Sequence, residues 1–171
     1  MRFGWIGVGV MGRHMASHLM AAGHEARVFS RTASKCQPLV ERGAVLAASP
    51  REAAEDADVV FTMVGAPQDV ETVILGDDGA LTGLSPGSLL VDMTTSTPTL
   101  ALHIAAWAAS QGVLALDAPV SGGDVGAEAQ HPYRHPRMLR WGPPALWILP
   151  RGWIRSSWTL KKGMSSLPRL L

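Results

Sequence analysis

Residues 2–23 read Arg2-Phe3-Gly4-Trp5-Ile6-Gly7-Val8-Gly9-Val10-Met11-Gly12-Arg13-His14-Met15-Ala16-Ser17-His18-Leu19-Met20-Ala21-Ala22-Gly23. The stretch changes period once. Arg2 to Gly7 is a short apolar run that closes on glycine, the pattern of a strand buried on both faces. From Met11 the spacing is helical, with Met11, Met15, Leu19 and Ala22 on one face and Gly23 as the stop. Between them Gly7-Val8-Gly9-Val10-Met11-Gly12 forms a G-x-G-x-x-G turn from strand to helix. In such a turn the first glycine permits the tight bend and the second lets backbone approach a pyrophosphate. The third allows close packing of helix on strand. The free N–H groups and the dipole at the helix start favour an anion. The same glycines fit a tight turn with no ligand, but a strand before and a helix after favour the dinucleotide reading.

Working outward, the strand-then-helix alternation repeats as far as residue 117. Ala26 to Phe29 is a second strand, followed by a helix from Ala33 to Arg42 closed by Gly43. Ala44 to Leu46 is a short third strand. Ser49 before Pro50 and Glu52 marks a helix start, with proline at its first position. Val59 to Val64 is a fourth strand, Pro67 to Leu75 a helix, and Gly76 to Gly87 a turn-rich loop. Ser88 to Asp92, a helix from Pro98 to Gln111, and Val113 to Asp117 complete the series. Six strands separated by helices predict an α/β fold, a doubly wound parallel sheet covered on both faces. Chemistry in such a sheet belongs at the carboxyl ends of the strands, near the switch in strand order.

The loops at those ends carry the candidate site. Some twenty residues past the glycine turn, an NAD site places an acid on the ribose hydroxyls. Ser30-Arg31-Thr32 stands there instead. A guanidinium grips a 2′-phosphate bidentately, with Ser30 and Thr32 as further donors, so NADP is the expected cofactor, with NAD as the second. A solvated surface arginine is the alternative. At the strand-four exit are Met63, Val64, Gly65 and Ala66, small enough at 65 and 66 for a ribose or adenine to lie against the backbone. At the strand-five exit, Thr94, Thr95 and Ser96 either orient a ligand or cap the helix that begins near Pro98. After the sixth strand, Asp117-Ala118-Pro119-Val120-Ser121-Gly122-Gly123 offers a hydroxyl and free N–H groups to a carboxylate, or forms an ordinary glycine turn. His14 and His18 have metal-ligand spacing but no third ligand, so they read as a solvated pair and no metal is expected. Lys161 and Lys162 read as a surface charge pair.

Composition divides the chain. Over residues 1–127 there are 7 Lys and Arg against 13 Asp and Glu; over 128–171 there are 8 against the single Glu128. The net charges of −6 and +7 sum to the chain's +1. The last 44 residues also hold 4 of the 6 tryptophans and 6 of the 12 prolines. Prolines 132, 136, 143, 144, 150 and 168 break any helix longer than two turns, so this basic tail is expected to be irregular. The single Cys36 excludes an internal disulfide and a cysteine-based zinc site. No apolar run reaches a membrane-spanning length, and no nucleic-acid motif accompanies the basic tail. Glycines interrupt any apolar signal-peptide core, so the expected location is cytoplasmic.

With these residues in view, GWIGVGVMGRHMASHLMAAGH, VFSRT, VVFTMV, LLVDMTTSTP and DAPVSGGDVGA together resemble the β-hydroxyacid dehydrogenase family. The likeness is to its 3-hydroxyisobutyrate dehydrogenase-like members, with 6-phosphogluconate dehydrogenase as a relative, and covers about residues 3–127. It implies an NAD(P)-binding Rossmann domain over 1–127 and reversible oxidation of a small 3-hydroxy acid to its semialdehyde. It also implies a separate helical domain that dimerises. By motif position, Gly7, Val8, Gly9, Val10, Met11, Gly12, Ser30, Arg31, Thr32, Met63, Val64 and Thr95 would touch the cofactor. Ser121, Gly122 and Gly123 would hold the substrate carboxylate. Relatives occur in mitochondria as well as the cytosol. The family's general-acid lysine, in a G-x-x-x-K-x-x-N-N type segment, has no counterpart here, and Lys161 and Lys162 lack its surroundings. The expectation is therefore a cofactor-binding half without its lysine domain or most of its dimer interface, joined near Ala127 to a foreign tail. A frameshift, retained intron or alternative exon would produce such a join. The alternative is a non-catalytic NADP-binding scaffold whose basic tail contacts anionic partners.

Overall fold

Strands that are apolar at every position must be covered on both sides, and the chain achieves this with one parallel sheet. The computed structural model describes residues 1–120 and 127–128. Its strands are β1 (Arg2–Ile6), β2 (Glu25–Phe29), β3 (Val45–Leu46), β4 (Val59–Thr62), β5 (Leu89–Asp92) and β6 (Leu114–Asp117). They lie in the order β3-β2-β1-β4-β5-β6, every neighbouring pair parallel. The helices are α1 (Val10–Ala21), α2 (Gln37–Val40), α3 (Pro50–Ala54), α4 (Pro67–Leu75), α5 (Ala80–Gly83) and α6 (Pro98–Ser110). This is the doubly wound Rossmann arrangement. Among the described residues, no helix is long and apolar enough to cross a membrane.

Strand alternation sorts the side chains into two cores. Phe3, Trp5, Val28 and Phe61 pack with Met15 and Leu19 of α1 on one face. Ile6, Val60 and Leu90 pack with Val70, Ile74 and Ile104 of α4 and α6 on the other. Trp5 faces Phe61 across the β1–β4 register and stacks on it at 5.3 Å, while its indole N–H donates to the Gly7 carbonyl at 3.2 Å. The fully buried ring thus keeps its polar end satisfied directly under the glycine turn.

Several local expectations change. The helix expected over 33–42 is split into a 3₁₀ turn, Ala33–Cys36, and the short α2. Pro38 is the cause: it has no N–H to give and its ring clashes with the preceding turn, so it is tolerated only at a helix start. The loop expected over 76–87 contains α5, four residues too short to show a period. The buried side of α1 is Gly12, Met15, Ala16 and Leu19, turned from the expected stripe, and Ala22 is exposed. The rotation follows from Gly12 having to face the sheet. His18 is only partly solvated: its Nε2 pairs with the Ala127 carbonyl at 2.9 Å. The cap of α6 is Thr97, whose hydroxyl accepts from the Leu100 N–H at 3.3 Å, rather than Thr94, Thr95 or Ser96. Ser49 does cap α3, accepting from the Glu52 N–H at 3.1 Å.

Candidate functional site

In this strand order the chain reverses direction across the sheet between β1 and β4, and the connections leaving those two strands diverge. A crevice must open there, at the carboxyl ends of the strands. It does so as a cleft of about 420 Å³, floored by Gly7 to Gly12 and walled by the exits of β2 and β4.

The glycine turn is shaped by two backbone approaches. Gly7 has φ +102°, and a methyl there would stand 2.1 Å from the Met63 carbonyl oxygen. A methyl on Gly12 would stand 2.2 Å from the Gly7 carbonyl oxygen, so α1 can sit this close only without a side chain. Gly9 differs: it lines the cleft, and a methyl there meets nothing within 4 Å. The space beside it is open and accepts a ligand. Gly9 is also the N-cap of α1, with no side-chain cap and no acid in the first turn. The first N–H groups of a twelve-residue helix are thus left for an anion at the positive end of its dipole.

Every residue of the fingerprint, Gly7, Val8, Gly9, Val10, Met11 and Gly12, lines this cleft, together with Ser30, Arg31, Thr32, Met63 and Val64. Thr95 lies outside its lining and is exposed at the β5 exit. Ser121, Gly122 and Gly123 lie outside the described residues, as does the stretch 129–171. Two charged residues that sequence reasoning passed over also line the cleft, Lys35 and Asp69. Asp69 Oδ1 is 2.8 Å from Arg31 Nη1. Lys35 was legible as a cation four residues past Arg31; Asp69 was not, because its partner lies on another strand exit.

Behind the cleft, a buried polar network ties the exits of β4 and β5 together. The Thr62 hydroxyl donates to Asp92 Oδ1 at 2.7 Å, and the Thr94 N–H donates to the same oxygen at 3.1 Å. The Thr94 hydroxyl in turn accepts from the Val64 N–H at 3.0 Å. Thr94 is therefore spent on holding the loop that carries Val64. Burial pushes the Asp92 carboxyl above the ordinary carboxylate range, against the Thr62 and Thr94 hydrogen bonds. Asp117, its register partner on β6, is raised by burial and by the Asp92 charge. Ser96 Oγ is buried without a partner among the described residues. Among those residues no group of three potential metal ligands occurs.

A family model, the NAD binding domain of 6-phosphogluconate dehydrogenase, matches residues 2–131. The chain is 55% identical over 128 residues to the probable 3-hydroxyisobutyrate dehydrogenase-like 1, mitochondrial, of Arabidopsis thaliana, covering 74% of this chain and 38% of that protein. Among solved structures it is similar to Mycobacterium tuberculosis 3-hydroxyisobutyrate dehydrogenase with L-serine, at 36% identity and TM-score 0.69, over 75% of this chain and 43% of that one. It is also similar to an imine reductase from Myxococcus stipitatus in complex with NADP+, at 28% identity and TM-score 0.67, over 74% and 43%. The chain thus spans about two fifths of the length of the curated relatives it matches.

Proposed function

Because the chain belongs to the family of the NAD binding domain of 6-phosphogluconate dehydrogenase, we propose that its cleft binds a nicotinamide adenine dinucleotide, NADP in preference to NAD, for an oxidoreductase of small 3-hydroxy acids. The observation that carries this reading is Gly9: a glycine at the start of α1 whose missing side chain leaves open space in a cleft with uncapped N–H groups. In the reading, Gly7 to Gly12 hold the pyrophosphate. Arg31, with Ser30 and Thr32, holds the 2′-phosphate through charge-assisted hydrogen bonds. Met63 and Val64 lie along the dinucleotide where it crosses from β1 to β4, and Thr95 reaches it from the β5 exit. Ser121, Gly122 and Gly123 take the carboxylate of the hydroxy acid.

When bound, the nicotinamide supplies the hydride acceptor or donor. What residues 1–120 contribute is binding and orientation. The one lysine in the cleft, Lys35, sits by the β2 exit with Arg31, at the 2′-phosphate end in this reading. A proton donor for the developing alkoxide is therefore not assigned to this cleft, and turnover by the chain alone is expected to be absent or very weak.

Titration of the purified chain with NADP+ and NAD+, read by thermal shift, tests the reading, since a ligand of the native state raises its stability. NADP+ should raise the melting temperature at lower concentration than NAD+. No shift with either cofactor at millimolar concentration would refute the proposal. Hydride transfer with 3-hydroxyisobutyrate should stay at background, and family-like turnover by this chain would overturn the assignment of binding alone.

A further inference from the structure

Arg31 has a carboxylate within contact distance before any cofactor arrives. Its Nη1 lies 2.8 Å from Asp69 Oδ1, and the two line the same cleft from opposite sides. Arg31 follows β2 and Asp69 stands in the first turn of α4, after β4. Because β1 lies between β2 and β4, the ion pair crosses above the end of β1. The second carboxylate oxygen lies by the β4 exit, where a methyl on Gly65 would stand 3.3 Å from Oδ2. The Asp69 side chain is 22% exposed and that of Arg31 76%. The carboxylate is the seated partner and the guanidinium the one facing solvent.

Resting on the reading of this cleft as a dinucleotide site, we propose that Asp69 is a specificity-determining residue. It competes with the 2′-phosphate of the cofactor for the Arg31 guanidinium and so narrows the preference for NADP over NAD. A phosphate monoester carries nearly two negative charges at neutral pH. To reach Arg31 it must draw the guanidinium from Asp69 and settle near a carboxylate that stays in place, and like charges at such range repel. An NAD ribose brings neutral hydroxyls to the same position and meets neither obstacle. A partly exposed ion pair is weak, so the exchange is feasible and its cost is modest. Arg31 read alone overstates the discrimination, because part of its charge is already answered.

The test titrates NADP+ and NAD+ against the full chain and its Asp69→Asn variant, which keeps the shape and removes the charge. Asp69→Ser serves as a second charge-free variant, and both are checked for native circular dichroism. The expected result is a gain of about 3- to 5-fold in NADP+ affinity, the size set by releasing one partly exposed ion pair, with NAD+ changed by less than about 2-fold. In an Arg31→Ala background the part of the gain that comes from competition should vanish, leaving at most the smaller part from relieved repulsion, as in a double-mutant cycle across a coupled pair. An unchanged NADP-to-NAD ratio in both variants overturns the proposal. A fall in NADP+ affinity also overturns it, by making Asp69 a prop for Arg31. A gain that persists undiminished without Arg31 overturns the competition. Failure of the unaltered chain to bind either cofactor defeats the dinucleotide reading and this inference with it; binding of both with an unmoved ratio defeats the inference alone.

Discussion

Gly7 and Gly9 stand two residues apart in one turn, yet the structure separates their roles, and alanine at each should fail differently. At Gly7 the backbone has φ +102°, and the new methyl would lie 2.1 Å from the Met63 carbonyl oxygen. The strained backbone costs on the order of 1–3 kcal/mol. Forcing a carbon more than 1 Å inside contact distance of a strand exit adds on the order of 1–3 kcal/mol. Gly7→Ala should therefore lose about 2–6 kcal/mol, a large part of the stability of a domain this size. At roughly 2–4 °C per kcal/mol the melting temperature falls by about 4–24 °C. Gly9 has φ −85°, open to any residue, and its methyl meets nothing within 4 Å. Gly9→Ala should cost no more than about 1 kcal/mol, the preference of an N-cap for glycine over alanine. Its methyl would instead fill space beside the helix start where a pyrophosphate must approach backbone, weakening NADP+ by at least about tenfold, or 1.4 kcal/mol. Thermal unfolding without ligand and NADP+ titration measure the two effects separately. If Gly9→Ala binds NADP+ as the unaltered chain does, the open space is not the pyrophosphate site. If it unfolds as early as Gly7→Ala, the geometric distinction between the two glycines is wrong.

Three further outcomes are expected. Arg31→Ala should weaken NADP+ by about tenfold or more while leaving NAD+ nearly unchanged, and equal weakening of both would show that the side chain does not read the phosphate. Asp92→Ala strands the Thr62 hydroxyl and the Thr94 N–H, two buried donors, and should cost about 2–5 kcal/mol in urea unfolding. Asp92→Asn keeps an acceptor oxygen, so equal losses in the two variants would exclude the network as the cause. The same pair has a pH signature. Burial raises the folded-state pKa of Asp92, so its contribution is fully present below the unfolded value of about 3.9 and is lost as pH rises through the folded value. The stability of Asp92→Asn relative to the unaltered chain should therefore increase over that rise, and a difference independent of pH would contradict the buried-carboxylate account. Ser49→Ala should cost about 1 kcal/mol by removing the cap of α3, visible as a lower urea midpoint at unchanged m-value.

Residues whose conformation is set by their neighbours in sequence were readable without the structure. The apolar runs of β1 and β4, the proline-started helices α4 and α6, and the glycine turn all show in the order of residues. So does the general location of the crevice, at the carboxyl ends of the strands near the switch in strand order, because alternating strands and helices leave few topologies; that the switch lies between β1 and β4 is seen only in the strand order. What escaped depends on which strand exits meet. Asp69 and Arg31 are 38 positions apart, and nothing local marks them as partners until β2 and β4 are placed on either side of β1. The Thr62–Asp92–Thr94–Val64 network likewise forms only when β5 lies beside β4. Short elements escaped for a different reason: α5 and the two halves of the 33–40 segment are shorter than the period needed to recognise them.

The placement of Trp5 gives the cleft an optical reporter. Its indole is wholly buried, held by a ring stack on one side and by a hydrogen bond to the Gly7 carbonyl at the mouth of the turn. A buried indole emits at wavelengths that reduced nicotinamide absorbs. A reduced dinucleotide seated on the glycine turn would therefore quench Trp5 by energy transfer, and the difference in emission between the chain and its Trp5→Phe variant isolates that signal from every other tryptophan. The residue that anchors the turn from below thus also makes its occupancy visible without a label.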